Sequence, residues 1–232
     1  MVRQMSWKSW VIVGVAVAVM CASGGLLMAS NMGFKINKAL TSGFLGAQAP
    51  KGHNWISLPY SSPYANAKAF CNAANVTTNA GTATVIDPAT GTLTNFLCGG
   101  AGPGFTVNGA QGIRFTIAGA GVSSAVLVGA SNEATQLSIL DNFLGAQAPK
   151  KYNWVSVPYH TTWVKANDIC VTMANATNAV TITRIDASTG GVTNHLCGQG
   201  AGGTGNFSLV IGESVRITRA GAGVITFFPP HF

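Results

Sequence analysis

The chain has 232 residues, only 8% of them charged, with 29 glycines, 47% hydrophobic residues and a formal net charge of +7. Charged residues make up about a quarter of an ordinary soluble domain, so this composition argues against a coiled coil or a charged disordered tail and suits a turn-rich β protein. The basic residues are scattered and form no run interleaved with aromatics, which argues against a nucleic-acid partner. At the start, Arg3 and Lys8 precede a stretch from Ser9 to Gly33 without a charged side chain, nearly all aliphatic from Val11 to Met20. A basic start, an apolar middle and small residues after it predict a secretory signal over residues 1–30, cut after Ser23, Ala29 or Ser30. Two alternatives stand beside it: a retained anchor, since the stretch is long enough to span a bilayer, and a lipoprotein at Cys21, with bulky Met20 against it. Each puts the remainder outside the cytoplasm, with membrane contact only where the leader is kept.

Residues 31–131 read as a first β-domain. Phe34, Ile36 and Leu40 are spaced by mostly polar residues, an alternation that predicts a half-buried strand. Gly46 to Pro50 is a turn. Asn54-Trp55-Ile56-Ser57-Leu58-Pro59 then reads as a strand with Ile56 and Leu58 toward the core. Pro59 ends the strand or sits at an edge. Trp55 either stacks a ligand or covers the second face. Ser62 and Pro63 suit the cap and first position of a short helix, with Tyr64, Ala67, Cys71 and Ala74 on its apolar face. Two strands, Thr82 to Ile86 and Thr92 to Leu97, flank an Asp87-to-Gly91 turn. Asp87 lacks the companion carboxylates of a calcium cage. A glycine-rich link, Gly99 to Gly104, has no phosphate-loop context. The domain closes with strands near Gly112 to Ile117 and Ser124 to Val128.

The order then repeats. Residues 132–232 read as a second β-domain, a duplicate of the first, opening with Leu137 and Ile139. Phe44 to Lys51 returns as Phe143 to Lys150, and Asn153-Trp154-Val155-Ser156-Val157-Pro158 restates the Trp55 strand. Thr161, Trp163, Ala166, Cys170 and Met173 restate the helix, and Asp186 the turn. Thr193-Asn194 matches Thr94-Asn95, and Arg216 matches Arg114. The glycine link, Gly198 to Gly205, is longer. Thr135 to Asp141 is either a linker strand shared by both domains or the first strand of the second. Apart from Cys21, each domain holds two cysteines at the same separation. An even count in an exported chain predicts disulfides. Of the three connectivities open to four cysteines, duplication selects Cys71–Cys98 and Cys170–Cys197. Two thiols without a neighbouring ligand make a poor zinc site. The expected fold is mainly β: two tandem small β-sandwich or open-barrel domains, each with one short helix and one disulfide, after an N-terminal hydrophobic segment.

The succession Asn-Trp-[Ile/Val]-Ser-[Leu/Val]-Pro, a short helix, Ile-Asp-x-x-Thr-Gly and [Ala/Gly]-[Gln/Glu]-x-[Ile/Val] before a strand resembles repeat modules of uncharacterised exported and cell-surface proteins of bacteria and archaea. The resemblance covers roughly Phe34 to Phe228 and implies a small β-domain used in tandem on cell envelopes, without naming an activity. Gly112 in one copy and Ser214 in the other break uniformity at that last motif.

No histidine belongs to the repeated frame, and neither a nucleophile motif nor an evident carboxylate pair is present. The expectation is therefore a non-catalytic structural or assembly protein of the cell envelope or extracellular surface, with no cofactor or metal and with self-assembly or an envelope protein as partner. The alternatives are a glycan- or protein-binding surface module and a membrane-anchored accessory subunit. Trp154, Trp163, His160 and Phe232 are the candidate partner contacts.

Overall fold

The computed structural model describes residues 33–44, 50–78, 80–119, 124–132, 134–141, 149–175, 177, 179–221 and 223–230, in which alternating apolar and β-branched segments form strands. The leader over 1–30, Cys21 and Phe232 lie outside these residues.

In the first half, Phe34, Ile36 and their neighbours form β1 (Phe34–Ala39), which pairs antiparallel with β6 (Ser124–Gly129). Between them in sequence come β2 (Asn54–Ser57), β3 (Gly81–Ile86), β4 (Leu93–Leu97) and β5 (Gly112–Ile117). These build an antiparallel sheet in the order β2-β5-β3-β4. The second half repeats the plan. A ribbon joins β7 (Leu137–Ile139) to β12 (Ile225–Phe227). A sheet in the order β8-β11-β9-β10 uses β8 (Asn153–Ser156), β9 (Val180–Ile185), β10 (Val192–Leu196) and β11 (Ser214–Arg219). Pairing with β12 makes Leu137–Ile139 the first strand of the second half.

The conserved-looking Asn of each Trp strand anchors it to the segment before. Asn54 accepts the Thr41 N–H at 2.7 Å and donates to the Thr41 and Phe115 carbonyls. Asn153 does the same with Leu140 and Ile217.

The helices are shorter and start later than the sequence suggests: α1 is Ala67–Ala73 and α2 is Ala166–Thr172. Ser62 and Thr161 do not cap them. Each hydroxyl accepts the N–H two residues on, from Tyr64 and Trp163, closing a local turn. The chain then stays extended because Asn66 bridges to Thr106 and Lys165 to Ser208. Asn66 is the cap of α1, its Oδ1 accepting the Ala69 N–H at 2.9 Å. At α2 the carboxylate of Asp168 accepts the Val164 and Lys165 N–H groups.

The expected apolar stripe holds along its length: Tyr64, Ala67, Cys71 and Ala74 are buried in one core, and Trp163, Ala166, Cys170 and Met173 in the other. Disulfides Cys71–Cys98 and Cys170–Cys197, with Cα atoms 5.5 and 5.4 Å apart, tie each helix to the end of its edge strand. Loops of this length confer roughly 3–4 kcal/mol in the chain-entropy model. The pair fits an oxidising, extracytoplasmic compartment.

Asp87 and Asp186 accept N–H groups within their own turns, from Ala89 and Ser188, and hydroxyls from Thr90 and Ser188. These bonds hold both carboxyls below their ordinary range, led by the Ala89 N–H for Asp87 and the Ser188 hydroxyl for Asp186. Gly91 and Gly190 close the turns at φ of 78° and 76°, where a side chain would be strained.

Candidate functional site

A strand that buries Ile56 on one face must leave Trp55 and Ser57 on the other. In water that face would expose an indole. Instead all four residues of β2 are buried, and so are all four of β8, because the two halves cover each other. Trp55 stacks on Trp154 with ring centroids 3.2 Å apart and planes 7° from parallel. Ile86 and Ile185 pack around the pair.

Hydrogen bonds reinforce the seam in matched sets. Ser57 Oγ accepts the Val157 N–H at 2.9 Å and donates to the Glu213 carbonyl. Ser156 Oγ accepts the Leu58 N–H at 2.9 Å and donates to the Gln111 carbonyl at 3.1 Å. The Ser57 N–H donates to the Gly212 carbonyl and the Ser156 N–H to that of Ala110, both at 3.1 Å. Gly52 donates to the Ala187 carbonyl and Lys151 to that of Pro88, both at 2.7 Å. Exchanging the copies maps each of these bonds onto its mate, so the centre of the seam is isologous, like a twofold dimer interface written within one chain. Residues at the axis meet their own equivalents. A Cβ at Gly112 would lie 2.7 Å from Ser214 Oγ, so at least one of these two equivalent positions must be glycine.

The flanks of the seam differ. On one side a hollow of about 180 Å³ is lined by Lys38, Trp55, Arg184, Asp186 and Glu213. Glu213 there bonds Lys38 Nζ at 2.7 Å and Arg184 Nε at 3.0 Å. On the other a hollow of about 460 Å³ is lined by Ile86, Gln111, Gln136, Leu137 and Trp154. The residues equivalent to the charged triad are Leu137, Val85 and Gln111, so this side carries no corresponding ion pair.

Outward from the tryptophans, strand register sets a polar row across each sheet. Trp55 stands opposite Arg114, Arg114 opposite Thr84 and Thr84 opposite Asn95. Trp154, Arg216, Thr183 and Asn194 repeat it. Arg114 Nη2 donates to Thr84 Oγ1 at 3.3 Å, which donates to Asn95 Oδ1 at 2.7 Å. The second row gives 3.2 and 2.8 Å. Burial pushes both guanidinium groups below their ordinary pKa. Arg216 also lies over the Tyr152 ring, 4.3 Å from its centroid. His53 occupies the equivalent place beside Arg114. Burial, and second the Arg114 charge, bring it down to about 4.

The residues expected to meet a partner are distributed otherwise. Trp154 is buried at the seam. Trp163 is buried in the second core, its Nε1 donating to Thr172 Oγ1 at 2.7 Å. Trp154 meets solvent only at the edge that lines the larger hollow, and Trp163 is covered by its core. His160 is half-buried with its ring edge on Tyr159, which stacks on Phe34 at 4.1 Å. The structure does not bring these three together. The sequence marks Arg114 with Arg216 and Thr94-Asn95 with Thr193-Asn194 as repeated pairs, but not that strand register joins them in rows or that the serines meet across the seam. Among the described residues no group of three His, Cys, Asp or Glu is placed to hold a metal ion, and no helix is long and apolar enough to cross a membrane. No protein-family model, curated protein or solved structure matches the chain.

Proposed function

We propose that the protein is a non-catalytic structural or assembly component, exported to the cell envelope or surface. The observation that carries this reading is an unequal exterior on two otherwise matched halves. The second half exposes Val164 (63%) and Val171 (70%), with Val210 and Ile211 also exposed. The first half has Ala65, Asn72, Asn108 and Gly109 at the same positions. The Leu209 N–H donates to the Val164 carbonyl at 2.8 Å, which holds Val164 beside the segment that carries Val210 and Ile211. Apolar side chains added to one copy of a duplicated unit have no folding role there, since the other copy folds without them. Such exposure marks a contact surface. The stapled, self-covering pair of halves supplies a rigid block for it.

Sedimentation velocity and negative-stain microscopy over a wide concentration range test this. The native chain is expected to self-associate or to co-assemble with an envelope protein. Val164→Ala with Val171→Asn, which restores the first half's residues, is expected to weaken association about tenfold or more while leaving the fold intact, as loss of two apolar contacts implies. A wild-type chain that stays monomeric at high concentration and co-purifies with no envelope protein would overturn the reading. The mass of the native protein decides between a cleaved leader and a retained anchor.

A further inference from the structure

Arg114 and Arg216 are electrostatically incomplete. Taking a guanidinium out of water is costly unless a counter-charge or a full set of hydrogen bonds replaces it. The Nε of each is buried and without a hydrogen-bond partner among the described residues. The described carboxylates are all engaged elsewhere. Asp87 and Asp186 hold turns, Asp168 starts α2, Glu213 pairs with Lys38 and Arg184, and Asp141 lies 3.5 Å from Arg219. The same unbalanced cation occurs at the same register position in both halves.

Arg216 opens onto a hollow of about 440 Å³. Thr181, Thr183, Asn194, Gln199, Thr204 and Thr218 line it beside Arg216, with Leu196 as an apolar edge, and Thr183 accepts directly from the guanidinium. The volume falls in the range of small-molecule sites, about 300–1,000 Å³, and is several times larger than a bare inorganic oxyanion needs. Guanidinium matches a carboxylate or sulfate in a two-pronged geometry. Threonine hydroxyls and side-chain amides can both donate and accept, as sugar hydroxyls require. We propose that this hollow binds an acidic saccharide, with the oxyanion on Arg216 and the ring hydroxyls on the lining threonines and amides. This does not depend on the assembly reading, because the row lies on β9, β10 and β11 and uses none of the exposed valines.

Calorimetric titration of the whole chain with polygalacturonate, dextran sulfate, neutral dextran and inorganic sulfate tests the proposal. At least one acidic polymer is expected to bind, the uronate and sulfate arms telling which oxyanion the site takes, with neutral dextran silent and inorganic sulfate much weaker. Arg216→Lys keeps the net charge but loses the planar fork, and is expected to lower affinity roughly tenfold. Lys35→Gln, which removes a distant exposed charge, is expected to leave affinity within about twofold. Amide resonances of Thr181 and Leu196 in the wild-type protein are expected to shift on binding, a readout independent of any variant's folding. Binding insensitive to Arg216→Lys but lost in Lys35→Gln would reduce the effect to net charge and overturn the site. So would inorganic sulfate binding as tightly as the polymers, binding of neutral dextran, or failure of both acidic polymers to bind.

Discussion

The axis of the seam and its flanks have fared differently since the two halves were one sequence. At the axis the copies still agree: Trp55 faces Trp154, and Ser57 and Ser156 trade the same bonds with the opposite half. A short distance away, Lys38, Arg184 and Glu213 form a charged triad on one side, while Leu137, Val85 and Gln111 stand in their places on the other. The difference follows from the geometry. An axial residue is its own partner's equivalent, so a change there must suit both copies at once. A flanking residue answers only to its own side and is free to specialise. Gly112 opposite Ser214 shows the same limit, since two side chains cannot occupy that spot.

Breaking the axis should have the largest effect. Trp154→Ala removes a buried indole and leaves the face of Trp55 uncovered, and is expected to cost about 3–5 kcal/mol by denaturant unfolding. A loss under about 1 kcal/mol would mean that the halves do not rely on each other. Off the axis, the copies can be compared at one core position, where the first half has Phe96 and the second has His195. His195 is fully buried, and neither ring nitrogen has a hydrogen-bond partner among the described residues. Restoring the ring of the other copy with His195→Phe is expected to stabilise the protein by about 1–2 kcal/mol. A destabilised variant would reveal a partner for the imidazole.

A third difference is the contribution of His53 to pH dependence, which the other half, with Tyr152 in that place, lacks. His53 in the folded chain stays neutral down to about 4, against an ordinary value of 6.5. The unfolded chain therefore binds the extra proton first. Stability is fully present above 6.5, falls as the pH drops from there to about 4, and has no further His53 component below. His53→Tyr, which installs the residue of the other copy, should flatten that slope in urea unfolding at a series of pH values. An unchanged slope would place the titration elsewhere.

Much of each half was readable before any coordinates. Alternation located the strands, the spacing of Cys71 among Tyr64, Ala67 and Ala74 located the helical face, and the repeat chose the disulfides. Helix starts were misjudged because Ser62 and Thr161 satisfy a turn as readily as a cap, and only the bridges from Asn66 to Thr106 and Lys165 to Ser208 decide between them. The seam was not legible for a deeper reason. Period-two alternation says that Trp55 and Ser57 share a face but cannot say what covers it. That depends on a second copy arriving from elsewhere in the chain. The arginine rows were hidden likewise, since Arg114, Thr84 and Asn95 are neighbours only through strand register.

Amide hydrogen exchange at Val157 and Leu58 tests the mutual covering most directly, in the native protein and in Ser57→Ala. Both N–H groups are held by a serine of the opposite half at 2.9 Å, with a longer bond at 3.3 Å to a carbonyl of their own half, Gln111 for Leu58 and Glu213 for Val157. The native protein should protect them as strongly as the central strands. Ser57→Ala should speed exchange at Val157, in the other half, well beyond any change at Leu58. Rapid exchange of either amide in the native chain would contradict the seam.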